Sequence, residues 1–202
     1  VLVVGEVVSL RKKLNWFEAK PLFGKRILVT RAADKSAAFA GQLESLGAEV
    51  VQLPAIELAP VKSNGLFRKT LDGLPRTDWV FFTSPEGIGW FSKMLKPYRK
   101  DLRWLSGCHI GAIGPKTALA LEASGLHVDF VPKRFSQEGI LEGFPRRVLE
   151  GKRAVILSAA GSRDVLEAGL RSRGMRVAKV PIYRTVVPQA LKSGAAGLLR
   201  AP

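Results

Sequence analysis

The sequence is poor in residues that form covalent or metal cross-links. It has one cysteine and two histidines among 202 residues, so it offers no pair for an internal disulfide and no thiolate cluster for a metal. A lone cysteine fits a reducing compartment, which indicates a cytoplasmic location. Cys108 stands beside an apolar run, where packing is its expected role, and His109 and His127 are expected to be structural. We therefore predict no metal site.

Long apolar runs and cofactor motifs are also missing. No run approaches the ~18 residues that a membrane span needs, and Val1–Val4 is too short for the core of a signal peptide. The sequence contains no GxGxxG, no Walker-type phosphate loop and no His/Cys pair at ligand spacing. We therefore predict that the chain uses no cofactor and binds no membrane.

Acidic residues are scarce relative to basic ones. Subtracting 17 acidic from 32 basic residues leaves a net charge of +15. Such an excess favours polyanionic partners, whether nucleic acid, an anionic membrane or a small substrate with many carboxylates or phosphates. The densest basic stretch, Lys93–Arg103, is interrupted by Pro97 and Asp101, and the tryptophans form no stacking row. These features argue against nucleic acid, and a missing acidic segment is the alternative explanation of the charge.

An internal repeat is the main feature that is present. Arg26–Ile56 aligns without gaps on Arg153–Tyr183, and eight aligned positions are identical, among them Gly47 with Gly174. Each copy has the pattern of a strand, a helix ended by glycine, a second strand and then proline. A crossover of this length joins parallel strands in an α/β sheet.

Further units of the same kind lie between the two copies. The predicted strands are Trp79–Phe82, His109–Ile113 and Val128–Val131, and the predicted helices are Ser84–Leu95, Lys116–Ser124 and Gln137–Phe144. Because strands alternate with helices, we predict a flavodoxin-like parallel sheet over Val61–Val180.

Two proline-containing extended segments, Val50–Val61 and Val177–Pro188, follow the repeats. Proline suits edge strands or connections rather than central strands, so we predict two lobes joined by a two-stranded connection. The second lobe would comprise residues 57–183, and the first residues 25–56 plus 184–202. The chain stops shortly after a segment with helical pattern, Gln189–Arg200, so we expect the first lobe to be incomplete at its C-terminus.

A succession of motifs resembles the uroporphyrinogen-III synthase family over Lys25–Pro188. In order, these motifs are KRILVTRA, LGAEVVQLPAIE, FFTSPEGI, IGPKTA, FSQEGI, SRDVLEAGLRSRG and VPIYRTV. Residues 1–24, with VVGEVV and a WFEAKPLFG exit, resemble the C-terminal tail of a uroporphyrinogen-III C-methyltransferase. The resemblance therefore implies a piece of a bifunctional fusion.

The resemblance implies a reaction that fits the charge. Members of the family close hydroxymethylbilane to uroporphyrinogen III in tetrapyrrole biosynthesis, losing water and inverting the last pyrrole ring without a cofactor. The substrate carries eight carboxylates, and a net charge of +15 is suited to binding them. The family also implies two α/β lobes with the site in the cleft between them, a monomeric synthase unit and a functional link to hydroxymethylbilane synthase.

The strand-to-helix turns are the expected places for carboxylate binding. Free backbone N–H groups and the positive end of the helix dipole suit anions there, and arginine suits bidentate carboxylate contacts. Ordinary helix capping is the alternative role for the serine, threonine and proline residues. The predicted substrate-binding residues are Thr30, Arg31, Thr83, Ser84, Pro85, Gly114, Lys116, Thr117, Ser136, Gln137, Glu138, Ser162 and Arg163.

Tyr183, in VPIYRTV, is the predicted catalytic residue. A phenol stays protonated near neutral pH, so it can donate a hydrogen bond to the departing hydroxyl. The resemblance implies this role for the tyrosine of the motif, and packing at a lobe junction is the alternative. The competing functions are a basic, non-catalytic α/β binding module for polyanions and a two-lobed receptor for small anions.

Overall fold

The computed structural model describes residues 4–61, 65–144, 149–189 and 191. The predicted helix Gln189–Arg200 therefore lies almost wholly outside the described residues. The chain divides into two compact units, the first comprising Val1–Glu57 and Val186–Pro202 and the second Leu58–Thr185. The assignment of these units to lobes, and of residues 1–24 to a tail, stays a prediction.

The first unit contains the strand–helix–strand element predicted from the first repeat. Its elements are a 3-10 turn at Glu6–Leu10, α1 (Arg11–Leu14), β1 (Arg26–Val29), α2 (Ala33–Ser45) and β2 (Glu49–Gln52). The two strands pair in parallel, with Arg26 opposite Glu49. Gly47 follows α2 with a left-handed φ of +95°, and a Cβ there would lie 2.9 Å from Cβ of Lys20. Glycine is thus required at this helix end by both conformation and space.

The second unit is a five-stranded sheet with helices on both faces. Its elements are β3 (Glu57–Pro60), α3 (Gly65–Gly73), β4 (Trp79–Phe82), α4 (Glu86–Leu95), β5 (His109–Ala112), α5 (Pro115–Glu122), α6 (Gln137–Gly143), β6 (Arg153–Ala159), α7 (Val165–Arg171) and β7 (Arg176–Val186). The strand order is β3-β7-β6-β4-β5, and β7, β6, β4 and β5 are parallel.

Adjacent residues of the central strands feed two separate cores. Phe82 and Leu157 belong to the core on one face, and Phe81 and Ile156 to the core on the other, as the alternation of strand side chains requires. All four are 2% exposed or less, and burying each such side chain stabilises the fold by about 1.5–3 kcal/mol. This two-sided burial explains why the runs WVFF and AVIL are continuously apolar.

The predicted strand Val128–Val131 is wrong. Only an isolated parallel bridge joins Phe130 to Gly111. The carboxylate of Asp129 accepts a hydrogen bond from the Ile110 N–H at 2.7 Å, so a side chain takes a place in the ladder that a backbone carbonyl would fill. Pro132 follows immediately and donates no hydrogen bond.

Pro181 does not lie on an edge strand, whereas its expected place in a connection between the lobes stays a prediction. It lies within β7, which has β3 on one side and β6 on the other. The register between β6 and β7 shifts here, because Ser158 pairs with Pro181 whereas the next residue, Ala159, pairs with Tyr183. The irregularity accommodates a residue without an N–H inside the sheet.

Asp78 ties three strands together at the amino end of the sheet. Its carboxylate accepts hydrogen bonds from the Arg153 N–H at 2.8 Å and from Lys152 Nζ at 2.7 Å. Its carbonyl accepts the His109 N–H at 2.8 Å. The Arg153 N–H, and next the Lys152 ammonium, lower the pKa of Asp78 below its ordinary value of 3.8.

We predict that Asp78→Ala lowers the free energy of unfolding by about 1–3 kcal/mol near neutral pH, because it leaves the Arg153 N–H without its acceptor. Because the folded pKa is lowered, the carboxylate's stabilisation is present above pH 3.8 and is lost as the pH falls through the folded pKa. The difference between variant and parent should therefore shrink in acid. Urea unfolding near neutral pH and again well below pH 3.8 measures this difference in the free energy of unfolding. Glu122→Ala serves as a surface control. An equal effect of both substitutions would contradict the role of Asp78.

Candidate functional site

The carboxyl ends of β4, β5 and β6 form one edge of the sheet. β4 has β5 on one side and β6 on the other, so the chain crosses from one side of β4 to the other after β5. In open α/β sheets, such a reversal leaves a crevice at the carboxyl ends of the strands, where ligands bind. The predicted turns after β4 and β6 flank this position.

Tyr183 and Ser84 are brought together at this edge. The Tyr183 hydroxyl donates a hydrogen bond to Ser84 Oγ at 2.9 Å. The Tyr183 ring is 7% exposed and stacks on Trp90, with centroids 6.3 Å apart and planes inclined by 24°. The phenol is thus held by a ring face and by a hydrogen bond, and its oxygen lies at the start of the turn that leads into α4.

The irregular register of β7 explains the direction of the phenol. In a regular strand, Ile182 and Tyr183 would point to opposite faces of the sheet. Both instead join the core that contains Phe82 and Leu157. Bulges commonly re-aim a side chain next to a functional site, and here the shift at Pro181 turns Tyr183 towards Ser84.

The other members of the first turn have structural partners. Thr83 Oγ1 donates to the Leu157 carbonyl at 3.1 Å, and the Thr83 N–H donates to the same oxygen at 3.3 Å. Pro85 has a φ of −65° and immediately precedes α4, as expected for a helix start. Thr83 therefore anchors the turn to β6. Ser84, the next residue of the turn, makes the contact with Tyr183.

The turn after β5 carries three of the predicted residues. Gly114 was expected to let a ligand approach the backbone, but a Cβ here would lie 3.1 Å from Cβ of Phe135. That space is occupied by the Phe135 side chain, which is itself 63% exposed. Thr117 is buried and donates its N–H to the Gly114 carbonyl at 3.1 Å. Lys116 is exposed and has no ion pair among the described residues.

One N–H group near the start of each of α6 and α7 is already occupied. Ser136 Oγ accepts the Gly139 N–H at 3.0 Å. Gln137, whose side chain is buried, accepts the Leu166 N–H at 3.0 Å. α7 begins only at Val165, later than the predicted opening at residues 161–163. These intramolecular acceptors take up two of the N–H groups that were expected to face a ligand.

Glu138 and Arg163 form an ion pair across the two turns. Arg163 Nη1 lies 2.6 Å from Glu138 Oε1, and Nη2 donates to Oε2 at 3.3 Å. The Arg163 guanidinium is the main cause that lowers the pKa of Glu138 to about 2. Arg163 was predicted to bind substrate, and in this structure its guanidinium is engaged by a carboxylate of the same unit.

Lys179 supports the turn after β6, and the sequence-based prediction missed it. Its ammonium donates to the carbonyl of Ser162 at 2.5 Å and to that of Arg163 at 3.1 Å, and it pairs with Asp164. Its side chain is 16% exposed. A lysine within the apolar run VAKVP is the sequence feature that could have indicated a buried structural cation.

Two predicted residues lie in the first unit. Thr30 and Arg31 follow β1 and are exposed, and the Thr30 carbonyl accepts the Ala55 N–H at 2.9 Å. Among the described residues, no group of three or more His, Cys, Asp or Glu side chains is arranged to hold a metal. No helix in the described ranges has the length and apolar composition that crossing a bilayer requires.

Comparison with known proteins decides the family. A family model described as uroporphyrinogen-III synthase HemD matches residues 37–201. The uroporphyrinogen-III synthase of Synechococcus elongatus is 32% identical over 182 residues, which are 90% of this chain and 68% of that relative. The chain belongs to the uroporphyrinogen-III synthase family.

Two further comparisons show how much of a relative this chain spans and which fold it shares. The porphyrin biosynthesis protein HemD of Ruminiclostridium josui is 37% identical over 92% of this chain but only 37% of its own length. A crystal structure of a mutant uroporphyrinogen III synthase from Thermus thermophilus matches with a TM-score of 0.62 at 23% identity, covering 82% of this chain and 64% of that one. The latter similarity shows the fold, a mixed α/β structure with mainly parallel sheets. The chain thus spans roughly a third of one relative and two thirds of the others.

We predict that Arg163→Gln raises the pKa of Glu138 from about 2 towards its ordinary value of 4.5, because the main stabilising partner of the carboxylate is lost. NMR titration of the side-chain carboxyl carbons measures the change. Arg171→Gln, which removes the partner of Glu167 instead, is the matched control and should leave Glu138 unchanged. A Glu138 pKa that stays near 2 in Arg163→Gln would show that Arg163 is not the cause.

Proposed function

We propose that this chain carries the uroporphyrinogen-III synthase activity of its family, cyclising hydroxymethylbilane with inversion of the last pyrrole ring and loss of water. The observation that carries the proposal is the hydrogen bond between Tyr183 and Ser84 at the carboxyl edge of the sheet. A phenol fixed at such an edge is a suitable proton donor to a leaving hydroxyl. The family membership supplies the substrate class.

The pair can present its protons in two ways. In the structure the phenol donates and Ser84 accepts. A serine hydroxyl both donates and accepts, so rotation of the Ser84 hydroxyl lets it donate to the phenol oxygen instead. The phenol proton is then available to the substrate hydroxyl, which departs as water, and Ser84 stabilises the negative charge that develops on the phenol oxygen.

Positive charge near this edge suits the substrate's carboxylates. Lys116 is exposed at the start of α5 and has no ion pair among the described residues, so it is available to a ligand. Arg163 is held by Glu138, and contact with a substrate carboxylate requires it to exchange that partner. Arg31, which belongs to the first unit, stays a candidate on sequence grounds alone. Together with folding of the linear substrate into a reactive geometry, these contacts act mainly by positioning.

The wider context belongs to the same proposal. We take the two units to be the two flavodoxin-like lobes of the family, joined by a two-stranded connection.

We also take residues 1–24 to be the tail of a C-methyltransferase in a longer, bifunctional protein. A uroporphyrinogen-III C-methyltransferase of Bacillus subtilis is 28% identical over 130 residues. That length exceeds 24 residues, so most of the match falls on the synthase-like part. A cytoplasmic, monomeric synthase unit receiving substrate from hydroxymethylbilane synthase completes the proposal.

We predict that Tyr183→Phe slows formation of the type III isomer by roughly 10²-fold, within the range of general acid catalysis, with little change in KM. Ser84→Ala should slow it less, because the phenol remains. The assay generates hydroxymethylbilane in situ and separates type I from type III product. Tyr98→Phe removes the other tyrosine hydroxyl of the chain and is the matched control.

Two outcomes would count against parts of the proposal. Type I product alone from the parent chain would mean that this chain has no synthase activity. A parent chain that forms type III product, together with an unchanged rate in Tyr183→Phe, would remove the proton-donor role of Tyr183 and leave catalysis to positioning.

A further inference from the structure

A cavity of about 680 Å³ opens at the amino-terminal half of β7. It is lined by α3 and the turn after it, by α7, and by the first residues of β6 and β7. Its apolar lining comes from Leu66, Ala154, Val155, Val177 and Ala178. This volume is in the range of sites for small organic ligands.

The Arg176 end of the cavity is well separated from Tyr183. Arg176 lines it and lies seven residues before Tyr183 on the same strand, which is roughly 23 Å at about 3.3 Å per residue. Neither Tyr183 nor Ser84 is among the lining residues. The cavity also reaches Lys179, which lies four residues before Tyr183, roughly 13 Å along the strand, and which holds the carbonyls of Ser162 and Arg163.

The polar lining of the cavity is predominantly cationic. Its basic members are Lys69, Arg76, Arg153, Arg171, Arg176 and Lys179, against the acidic Asp72 and Glu167. Arg171 is paired with Glu167 at 2.7 Å, and Lys179 with Asp164. Among the described residues, Lys69, Arg76 and Arg176 have no acidic partner.

The backbone of β7 adds to the cationic character of the cavity. The Arg176 N–H donates to the Lys152 carbonyl at 2.8 Å, so the backbone groups of Arg176 point towards β6. In a parallel pair the backbone groups of alternate residues face alternate sides, so those of Val177 and Lys179 turn away from β6. Arg171 donates to the Val177 carbonyl at 2.9 Å. The carbonyl that would repel an anion is thereby covered by a guanidinium.

We propose that this cavity binds a small organic polyanion, with carboxylate or phosphate groups on an apolar skeleton. Unpaired cations around a concave surface raise the local positive potential and concentrate anions there. The guanidinium groups of Arg76 and Arg176 are suited to planar, bidentate contact with such groups. The apolar lining favours a ligand with a carbon skeleton over a simple inorganic ion.

The test uses mellitate, an aromatic ring that carries only carboxylates, as the probe. Isothermal titration with the full chain at about 0.15 M ionic strength limits diffuse charge effects. The cavity variant combines Lys69→Gln and Arg76→Gln. The matched control combines Arg68→Gln, the neighbour of Lys69 on α3 that is not in the lining, with Lys96→Gln. Both variants lose the same charge.

We expect the cavity variant to weaken mellitate binding by roughly tenfold or more, and the control by no more than about twofold. Amide shifts on adding mellitate should centre on Gly73 and Ala178, and inorganic phosphate should bind more weakly. Equal loss in both variants, shifts confined to Ser84 and Ser162, or no binding of mellitate to the parent chain would each overturn the proposal. These outcomes do not depend on synthase activity, so they are distinguishable from a failure of the proposed function.

Discussion

The parallel pairing of β4 with β6 is the constraint on which the rest of the second unit depends. It aligns Trp79 with Ala154 and Phe82 with Leu157, residues 75 positions apart in sequence. Closing a loop of that length costs about 4 kcal/mol in chain entropy beyond a constant term. The residues just outside β4 help to offset this cost, because Asp78 accepts the Arg153 N–H and Thr83 donates twice to the Leu157 carbonyl. The register is thereby fixed at both ends.

A fixed register at the carboxyl end is what allows Tyr183 to meet Ser84. Thr83 fixes the start of the turn that carries Ser84, and β6 fixes β7 through Ala159, which pairs with Tyr183. The shift at Pro181 then directs the phenol inwards. Pro181 breaks the regular hydrogen-bond ladder of β7. This irregularity gives Tyr183 the side-chain direction that the proposed chemistry needs.

The sequence predicted the elements well and their side-chain partners poorly. Apolar runs and glycine stops determine local structure, so β4 and the strand–helix–strand unit of the first repeat were predictable. The missing strand at Val128–Val131 depends on Asp129 bonding to Ile110, which only the fold brings together. The same holds for Arg163, a plausible ligand of carboxylates on sequence grounds, which the fold places against Glu138. Periodicity does not encode such long-range pairs.

The acidic residues explain how a net charge of +15 becomes available to ligands. Asp78 and Glu138 are held by N–H or guanidinium donors of their own unit, and both have lowered pKa values. Carboxylates committed in this way stabilise turns and strand ends and do not neutralise cations elsewhere. Exposed cations such as Lys116 and Arg76 have no ion pair among the described residues. Because concave surfaces focus the field of such cations, the scarcity of acids and their structural use together favour anionic ligands.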